Sequence, residues 1–218
     1  MKRNFDLIIW DWDGTLADST SIIIDAITTA SAELGLGEIP RPSASNIIGL
    51  SLNEAIKQLL GDVGTEKTQA LAARYRHNYY LHEENIPLFD GVVKTIAELK
   101  KRGFKLAVAT GKGRHGLDLA IERSGLTNYF YATRTVDECF SKPHPQMLDE
   151  LMDICVTTPE RTLMIGDTSY DLQMAQNADV KSLAVTYGAQ SREQLLRYNP
   201  IASFDDFSSL SNWLMANA

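Results

Sequence analysis

The chain has 218 residues, of which 44% are hydrophobic and 22% are charged, and its formal net charge is −7. A chain of this length and composition can bury the core of one globular domain, or of one domain with a small insert. The acidic balance argues against a nucleic acid or an anionic membrane surface as the main partner.

The chain opens on a strand that is followed by two acids. Residues 5–10 are almost all apolar, which predicts a buried strand of an α/β sheet. Asp11 and Asp13 come next, and Gly14 then breaks the strand, so both carboxylates belong at its carboxyl end, where open α/β sheets place ligands. Two like charges there raise each other's pKa, so the pair indicates a metal, an acid–base couple, or both. The apolar run is too short for a signal peptide or a membrane span.

After this strand, the sequence shows only helical patterns as far as residue 84. Asp18, Ser19 and Thr20 can cap a first helix that runs to about Leu34, and residues 43–84 continue with helical spacing. A helical block of roughly 65 residues is far longer than a crossover between strands needs. We therefore predict an inserted helical cap over residues 18–85 and a catalytic core made of residues 1–17 and 86–218.

The remainder alternates short helices with short strands. Strands are predicted at residues 104–109, 130–133, 161–165, 181–186 and 201–204. Helices are predicted at residues 92–102, 116–124, 146–154, 171–178, 191–198 and 207–215. This alternation predicts an α/β fold whose core is a Rossmann-like parallel sheet, interrupted by the α-helical cap.

Polar side chains follow several of these strands and should meet at one edge of the sheet. They are Asp11, Asp13, Thr110, Gly111, Lys142, Asp167 and Asp171. The acids outnumber the lysine, so a divalent metal would stabilise the cluster, and ligation by oxygen alone favours Mg²⁺ over zinc. A lysine and a hydroxyl beside a metal suit an anionic group such as phosphate.

The order of these motifs resembles the haloacid dehalogenase superfamily, and specifically its Mg²⁺-dependent phosphatases. The motifs are DWDGT, a strand that ends in Thr110, the pair Lys142-Pro143, and GDTSYD. The helical block stands where one branch of the superfamily, which includes the phosphoglycolate phosphatases, carries a helical cap. The resemblance covers nearly the whole chain, and it implies the same fold and an aspartyl-phosphate mechanism.

The resemblance also implies roles for single residues. Asp11 would be the nucleophile, and Asp13 would be the general acid and then the general base. Thr110, Gly111 and Lys142 would hold the phosphoryl group, and Lys142 would also offset the charge of Asp11.

The implied metal is Mg²⁺. Asp11 and Asp167 would bind it through their carboxylates and Asp13 through its backbone carbonyl. Asp171 would order Lys142 or a metal-bound water instead of binding the ion, unless it merely caps the helix that follows it.

We therefore expect a phosphatase that acts on a small soluble phosphomonoester, either phosphoglycolate or a related compound. An acid at Asp13 argues against cleavage of carbon–halogen and carbon–phosphorus bonds, which the resemblance associates with other residues there. A pyrophosphatase, a sugar-phosphate mutase and a non-catalytic protein that binds a phosphorylated ligand remain alternatives. Thr15 is more typical of the phosphatases than of the mutases, and the complete set of acids argues against a binding-only protein.

The cap loop is the least informative part of the sequence. Residues 46–51 resemble the loop that faces the active site in this branch, where many members have an arginine just before the glycine to bind a substrate carboxylate. Here Ser45 and Asn46 stand in that neighbourhood, and Arg41 is the nearest cation. This departure weakens the expectation of phosphoglycolate itself.

The expected partner is a small phosphorylated metabolite, with neither nucleic acid nor membrane involved. Cys139 and Cys155 are the only cysteines, and their spacing fits neither a disulfide framework nor a CxxC motif. A reducing cytoplasm is therefore the expected location.

Overall fold

The computed structural model describes residues 4–218, and its core is one parallel sheet. The strands are β1 (Leu7–Trp10), β2 (Lys105–Thr110), β3 (Ala132–Thr135), β4 (Thr162–Gly166), β5 (Lys181–Val185) and β6 (Ala202–Phe204). Their spatial order is β3-β2-β1-β4-β5-β6, with every neighbouring pair parallel. The connections reverse direction at β1, and the crevice at such a reversal is where open α/β sheets bind ligands. The predicted α/β fold with a Rossmann-like parallel sheet is confirmed.

The helices fall into two groups. Those before β2 are α1 (Thr20–Glu33), α2 (Arg41–Ser45), α3 (Leu52–Leu60), α4 (Thr65–Tyr80) and α5 (Val92–Lys101). Those after it are α6 (Arg114–Arg123), α7 (Gln146–Cys155), α8 (Ser169–Asn177), α9 (Arg192–Leu196) and α10 (Phe207–Asn217). Within residues 4–218, no helix combines the length and the apolar character that a membrane span requires.

The sheet is covered on both faces, which explains the continuous apolar run at its centre. Ile8 and Trp10 of β1 belong to one buried cluster, which also contains side chains of α5, α6 and α10. Leu7 and Ile9 point the other way, into a second cluster with side chains of α7 and α8. Because successive side chains of a strand alternate between its faces, every residue of β1 is buried.

Helices α1 to α4 surround a hydrophobic cluster of their own, in which Ile27, Ile56 and Leu71 are completely buried. The chain leaves the sheet and returns to it at neighbouring points, because Ala17 forms a β-bridge with Leu88. A cap over residues 18–85 remains a prediction, although these helices share a core that is distinct from the two clusters of the sheet.

Several predicted boundaries differ from the structure by a few residues, and two of these differences have a local explanation. The third strand lies at Ala132–Thr135 and not at residues 130–133. It is an edge strand with mostly half-buried side chains, so it lacks the apolar run that marks a central strand. Helix α8 begins at Ser169 and not at Asp171, because Thr168 is its N-cap and forms a capping box with Asp171.

Candidate active site

A buried lysine lies between two buried carboxylates at the carboxyl edge of the sheet. Nζ of Lys142 is 2.8 Å from Oδ1 of Asp11 and 2.6 Å from Oδ1 of Asp171. None of the three side chains is more than 1% exposed. Ionised groups are this deeply buried only when each is compensated, so the cluster forms a tightly coupled electrostatic unit.

The strand order brings the other predicted residues to this lysine. Asp11 follows β1, and its backbone N–H donates to the carbonyl of Ile165 in β4 at 2.9 Å. Thr110 ends β2 and Asp167 follows β4, so both neighbours of β1 contribute a side chain at the same edge. Thr110 and Asp167 are at most 1% exposed. The predicted acids, hydroxyl and lysine are therefore brought together.

Asp167 is held from two sides. Its Oδ1 accepts a hydrogen bond from Thr15 Oγ1 at 3.0 Å, and its Oδ2 accepts one from the backbone N–H of Ala189 at 2.7 Å. Gly14 passes so close that a Cβ atom there would lie 2.1 Å from Oδ2, and its φ of +79° also favours glycine. The glycine of DWDGT is therefore required for the close approach of the first motif to Asp167.

The cluster carries more negative charge than Lys142 offsets. Burial raises the pKa of Asp11 to about 7, against a lowering by Lys142. Burial also raises the pKa of Asp167 well above its usual range, and the charges of Asp11 and Asp171 raise it further. For Lys142 itself, the two neighbouring carboxylates outweigh burial and raise its pKa. An additional cation would lower the raised pKa of Asp11 and of Asp167, because it would stabilise their ionised forms.

The side chains fit a magnesium ion. Oδ2 of Asp11 is buried and has no hydrogen-bond partner among residues 4–218. Carboxylate oxygens of Asp11, Asp167 and Asp171 lie within 4.8 Å of one another. Both oxygens of Asp171 are already occupied, Oδ1 by Lys142 and Oδ2 by the backbone N–H and the hydroxyl of Thr168. Asp11 and Asp167 are therefore the better candidates for direct ligands, and a donor set of oxygens suits Mg²⁺.

The charge balance predicts how the thermal stability of the metal-free protein depends on pH. Burial raises the pKa of Asp11 in the fold to about 7 from its ordinary value of 3.8, so protonated Asp11 stabilises the fold at low pH. This contribution should disappear as the pH rises towards about 7, and the Tm measured in chelator should fall over that interval. Mg²⁺ should raise Tm more at high pH than at low pH, because it binds the ionised carboxylates.

Other groups titrate over the same interval, so the informative comparison is with Asp11→Asn. This variant cannot take up the proton, and its Tm in chelator should decline less steeply than that of the wild type. Equal slopes for the two proteins would contradict the assignment of this pH dependence to Asp11.

Asp13 stands beside the cluster and is held by two donors at a single oxygen. Ser19 Oγ donates to Oδ1 of Asp13 at 2.8 Å, and Nζ of Lys112 lies 3.5 Å from the same atom. Ser19, one of the three residues predicted to cap α1, is its N-cap residue, but its side chain makes no capping hydrogen bond. The hydroxyl is directed to Asp13 instead, and this contact was not predicted.

The cap loop touches the loop that follows β2. A Cβ atom at Gly111 would lie 2.5 Å from the backbone oxygen of Gly49, so only a glycine allows the two backbones to approach this closely. Thr110 Oγ1 accepts a hydrogen bond from the backbone N–H of Lys112 at 3.1 Å. The predicted phosphate-binding residues therefore lie directly beneath the cap.

A cavity of about 350 Å³ lies between the cap and the sheet edge. Asp11, Asp13 and Thr110 line it from the core, and Ile47 and Tyr79 line it from the cap. A cavity of this size admits a small organic molecule. Its lining places apolar cap side chains above the acids of the core.

The structure shows which residues near the cap loop face the cavity. Residues 47–51 line the cavity as the resemblance implies, whereas Arg41, Ser45 and Asn46 do not. Arg41 forms an exposed ion pair with Asp25. Ser45 Oγ donates to the backbone oxygen of Ala189 at 2.7 Å, and Asn46 Oδ1 accepts from Gln194 at 3.1 Å. Ser45 and Asn46 thus attach the cap to the core.

Several residues at or beside the cavity were not predicted from the sequence, among them the charged side chains of Arg76 and Asp137, which line it. Lys112 and Glu83 also line it as charged side chains, and Ser19 holds Asp13. A signal existed for Lys112, which directly follows Thr110 and Gly111 at the end of a strand. Glu83 and Ser19 carried no comparable signal, because an acid late in a helical block and a serine before a helix are common.

Comparisons with known proteins identify the family and the fold of the chain. Residues 8–185 match the model of the haloacid dehalogenase-like hydrolase family. The chain is 30% identical over 212 residues to "Pyrophosphatase PpaX" from Bacillus mycoides (strain KBAB4), which covers 96% of each protein. A hydrolase from Pseudomonas syringae superposes with a TM-score of 0.89 at 22% identity, over 97% of this chain and 98% of that one. A "predicted phosphoglycolate phosphatase" from Haemophilus somnus 129pt superposes with a TM-score of 0.82 at 23% identity, over 97% of this chain and 99% of that one.

Proposed function

Because the chain belongs to the haloacid dehalogenase-like hydrolase family, we propose that it is a magnesium-dependent phosphatase acting on a small soluble phosphomonoester. The observation that carries the proposal is the position of Asp11. Its buried carboxylate lines the cavity, has one oxygen without a hydrogen-bond partner among residues 4–218, and is paired with Lys142. A carboxylate in this setting can attack phosphorus at the floor of a closed site.

In the first step, an oxygen of Asp11 attacks the phosphoryl group from the side opposite the leaving oxygen and forms an aspartyl-phosphate. Lys142 reduces the repulsion between the carboxylate and the incoming anion. Thr110 and Gly111 line the same cavity and are placed to hold the phosphoryl oxygens. The cap above them excludes bulk water while the acyl phosphate forms.

Asp13 is the proposed proton carrier. It gives a proton to the leaving oxygen in the first step and takes one from the water that hydrolyses the acyl phosphate in the second. Ser19 holds Oδ1 of Asp13, so the carboxyl group is oriented before substrate arrives. This arrangement returns Asp11 to its starting form at the end of each cycle.

Mg²⁺ would be held by Asp11 and Asp167, together with the backbone carbonyl of Asp13. When bound, it offsets the negative charge of the phosphoryl group during transfer. Asp171 positions Lys142 and completes the capping box of α8, and we propose no direct bond from it to the ion. Cys139 and Cys155 are free buried thiols, which supports action in a reducing cytoplasm.

A pyrophosphatase is the second candidate, and the similarity to PpaX favours it. Pyrophosphate hydrolysis uses the same nucleophile and acid, with phosphate as the leaving group. The apolar cap residues that line the cavity, such as Ile47 and Tyr79, favour an organic leaving group instead. Substrate competition decides between the two.

The experiment is phosphate release from a panel of small phosphomonoesters and pyrophosphate, with Mg²⁺ and with chelator. We expect release that depends on Mg²⁺ from one or a few monoesters, and selective release from pyrophosphate would favour the second candidate. No release from any compound by the folded, Mg²⁺-loaded protein would contradict both. Sugar phosphates should be analysed for isomers, because phosphate that stays on the sugar would indicate a mutase.

A further inference from the structure

Lys112 is a largely buried cation between Asp13 of the core and the cap. Its side chain is 9% exposed, and its Nζ donates to Tyr79 Oη at 2.7 Å and lies 4.4 Å from the centre of the Tyr79 ring. The same Nζ lies 3.5 Å from Oδ1 of Asp13, at the limit of a hydrogen bond. Lys112 belongs to the core and Tyr79 to helix α4, so the contact spans the cavity wall where core and cap meet.

The ammonium of Lys112 retains the capacity to bind an anion. It has three N–H donors, of which Tyr79 takes one and Asp13 takes one at long distance. Within residues 4–218, no third acceptor lies at hydrogen-bond distance from Nζ. A buried charged donor without an acceptor is unfavourable, and Lys112 lines the cavity, so the missing acceptor is expected there.

Two other charged groups near the cavity are already compensated, whereas Arg76, which also lines it, is exposed to solvent. Lys142 is paired with Asp11 and Asp171, below the site of attack. Glu83 also lines the cavity and is buried, but its Oε2 is 3.1 Å from Nη1 of Arg123. The negative charge of Glu83 therefore does not cancel that of Lys112.

Resting on the proposed phosphatase function, we propose that Lys112 selects substrates whose leaving group carries an anionic oxygen close to the bridging oxygen. Asp13 must touch the bridging oxygen to protonate it, and Lys112 is next to Asp13. An acceptor that reaches Lys112 is therefore only a few bonds from that oxygen. Pyrophosphate and short phospho-carboxylates such as phosphoglycolate share this chemistry, whereas phosphates of neutral alcohols lack it.

This assignment accounts for the cap loop as well. Arg41 is paired with Asp25 on the surface, and residues 46–51 include no arginine. Among residues 4–218, two side chains of lysine or arginine line the cavity, Arg76 and Lys112. Arg76 is exposed to solvent, whereas Lys112, in the core loop after β2, is next to Asp13 and is the one placed to meet an anion close to the bridging oxygen. Its place is stabilised by the hydroxyl and the ring of Tyr79.

The test compares Lys112→Met with the wild type on three compounds that differ in the leaving group. The leaving group of pyrophosphate and of phosphoglycolate is anionic. The leaving group of ethylene glycol monophosphate is neutral and of similar size. For the anionic substrates, we expect kcat/KM to fall by about 10- to 100-fold, largely through KM. For ethylene glycol monophosphate, we expect a loss of less than about threefold, because Ser19 still holds Asp13.

Two variants complete the design. Lys112→Arg keeps the charge and should recover part of the preference for anionic leaving groups. Lys67→Met replaces an exposed lysine of α4 and should change neither kcat/KM nor KM. Thermal melting verifies folding, and Lys112→Gln replaces the Met variant if that protein does not fold.

The outcomes separate the two proposals. A selective loss on pyrophosphate alone identifies phosphate as the leaving group, and a loss on phosphoglycolate alone identifies a carboxylate. An equal loss on all three compounds, or none on any, overturns the role of Lys112 while leaving the phosphatase proposal intact. A wild-type protein that prefers ethylene glycol monophosphate would also overturn it. No turnover of any compound by the wild type would instead contradict the proposed function.

Discussion

Replacing Asp11 with Asn should abolish phosphate release while leaving the fold intact. The amide keeps the shape of the carboxylate but is a poor nucleophile, so we expect kcat to fall by roughly 10⁴-fold or more. Burial raises the pKa of Asp11 to about 7, which means that the fold disfavours its charge. The neutral amide should therefore leave Tm unchanged, or raise it, when chelator is present. Steady-state phosphate release and thermal melting measure the two effects.

The matched control is Asp18→Asn, an exposed acid in the loop that follows the first motif. It should retain wild-type turnover. Intact-mass spectrometry after an acid quench should detect one phosphoryl group on the wild type, and peptide analysis should locate it on Asp11. Substantial turnover by Asp11→Asn, or a phosphoryl group elsewhere in the wild type, would contradict the assignment of the nucleophile.

The floor of the site could be predicted because its chemistry is placed by local signals. Asp11, Thr110 and Asp167 each stand at the end of an apolar run, and the carboxyl ends of parallel strands meet at one edge. Lys142 lies in a loop, and only the order of the motifs indicated it. Its position between Asp11 and Asp171 required the structure, since no periodicity specifies where a loop side chain points.

The cap side of the site depends on contacts between distant residues, and the sequence carries little signal for them. Ser45 and Asn46 stand where the resemblance suggests specificity, but they form hydrogen bonds with Ala189 and with Gln194 of α9, nearly 150 residues away in sequence. The pairing of Lys112 with Tyr79 joins a core strand end to a cap helix in the same way. Residue preferences also mislead at Ser19. A serine before a helix most often accepts a capping hydrogen bond, whereas the hydroxyl of Ser19 donates to Asp13 instead.

Lys142→Met should have a large effect on stability as well as on turnover. Methionine fills much of the buried space but leaves the carboxylates of Asp11 and Asp171 without their shared cation. Removing one partner from a buried ion cluster typically lowers the free energy of unfolding by about 3–5 kcal/mol. We expect a loss of that order at neutral pH, and a smaller loss at low pH, because burial raises the pKa of Asp11 to about 7 and the protonated carboxyl group needs no cation. Denaturant titration in chelator at both pH values measures it.

A double-mutant cycle separates the charge effect from the loss of packing. If the unpaired buried charge of Asp171 is the main cause of the stability lost in Lys142→Met, adding Asp171→Asn should restore part of that stability. The amide is neutral and can still accept hydrogen bonds from Thr168. Turnover should not return, since Lys142 is also needed to offset the charge of Asp11 against the phosphate. Lys67→Met serves as the control for a lysine exposed to solvent. Additive losses in the double variant would show that packing dominates, and would contradict an electrostatic origin for the stability of this cluster.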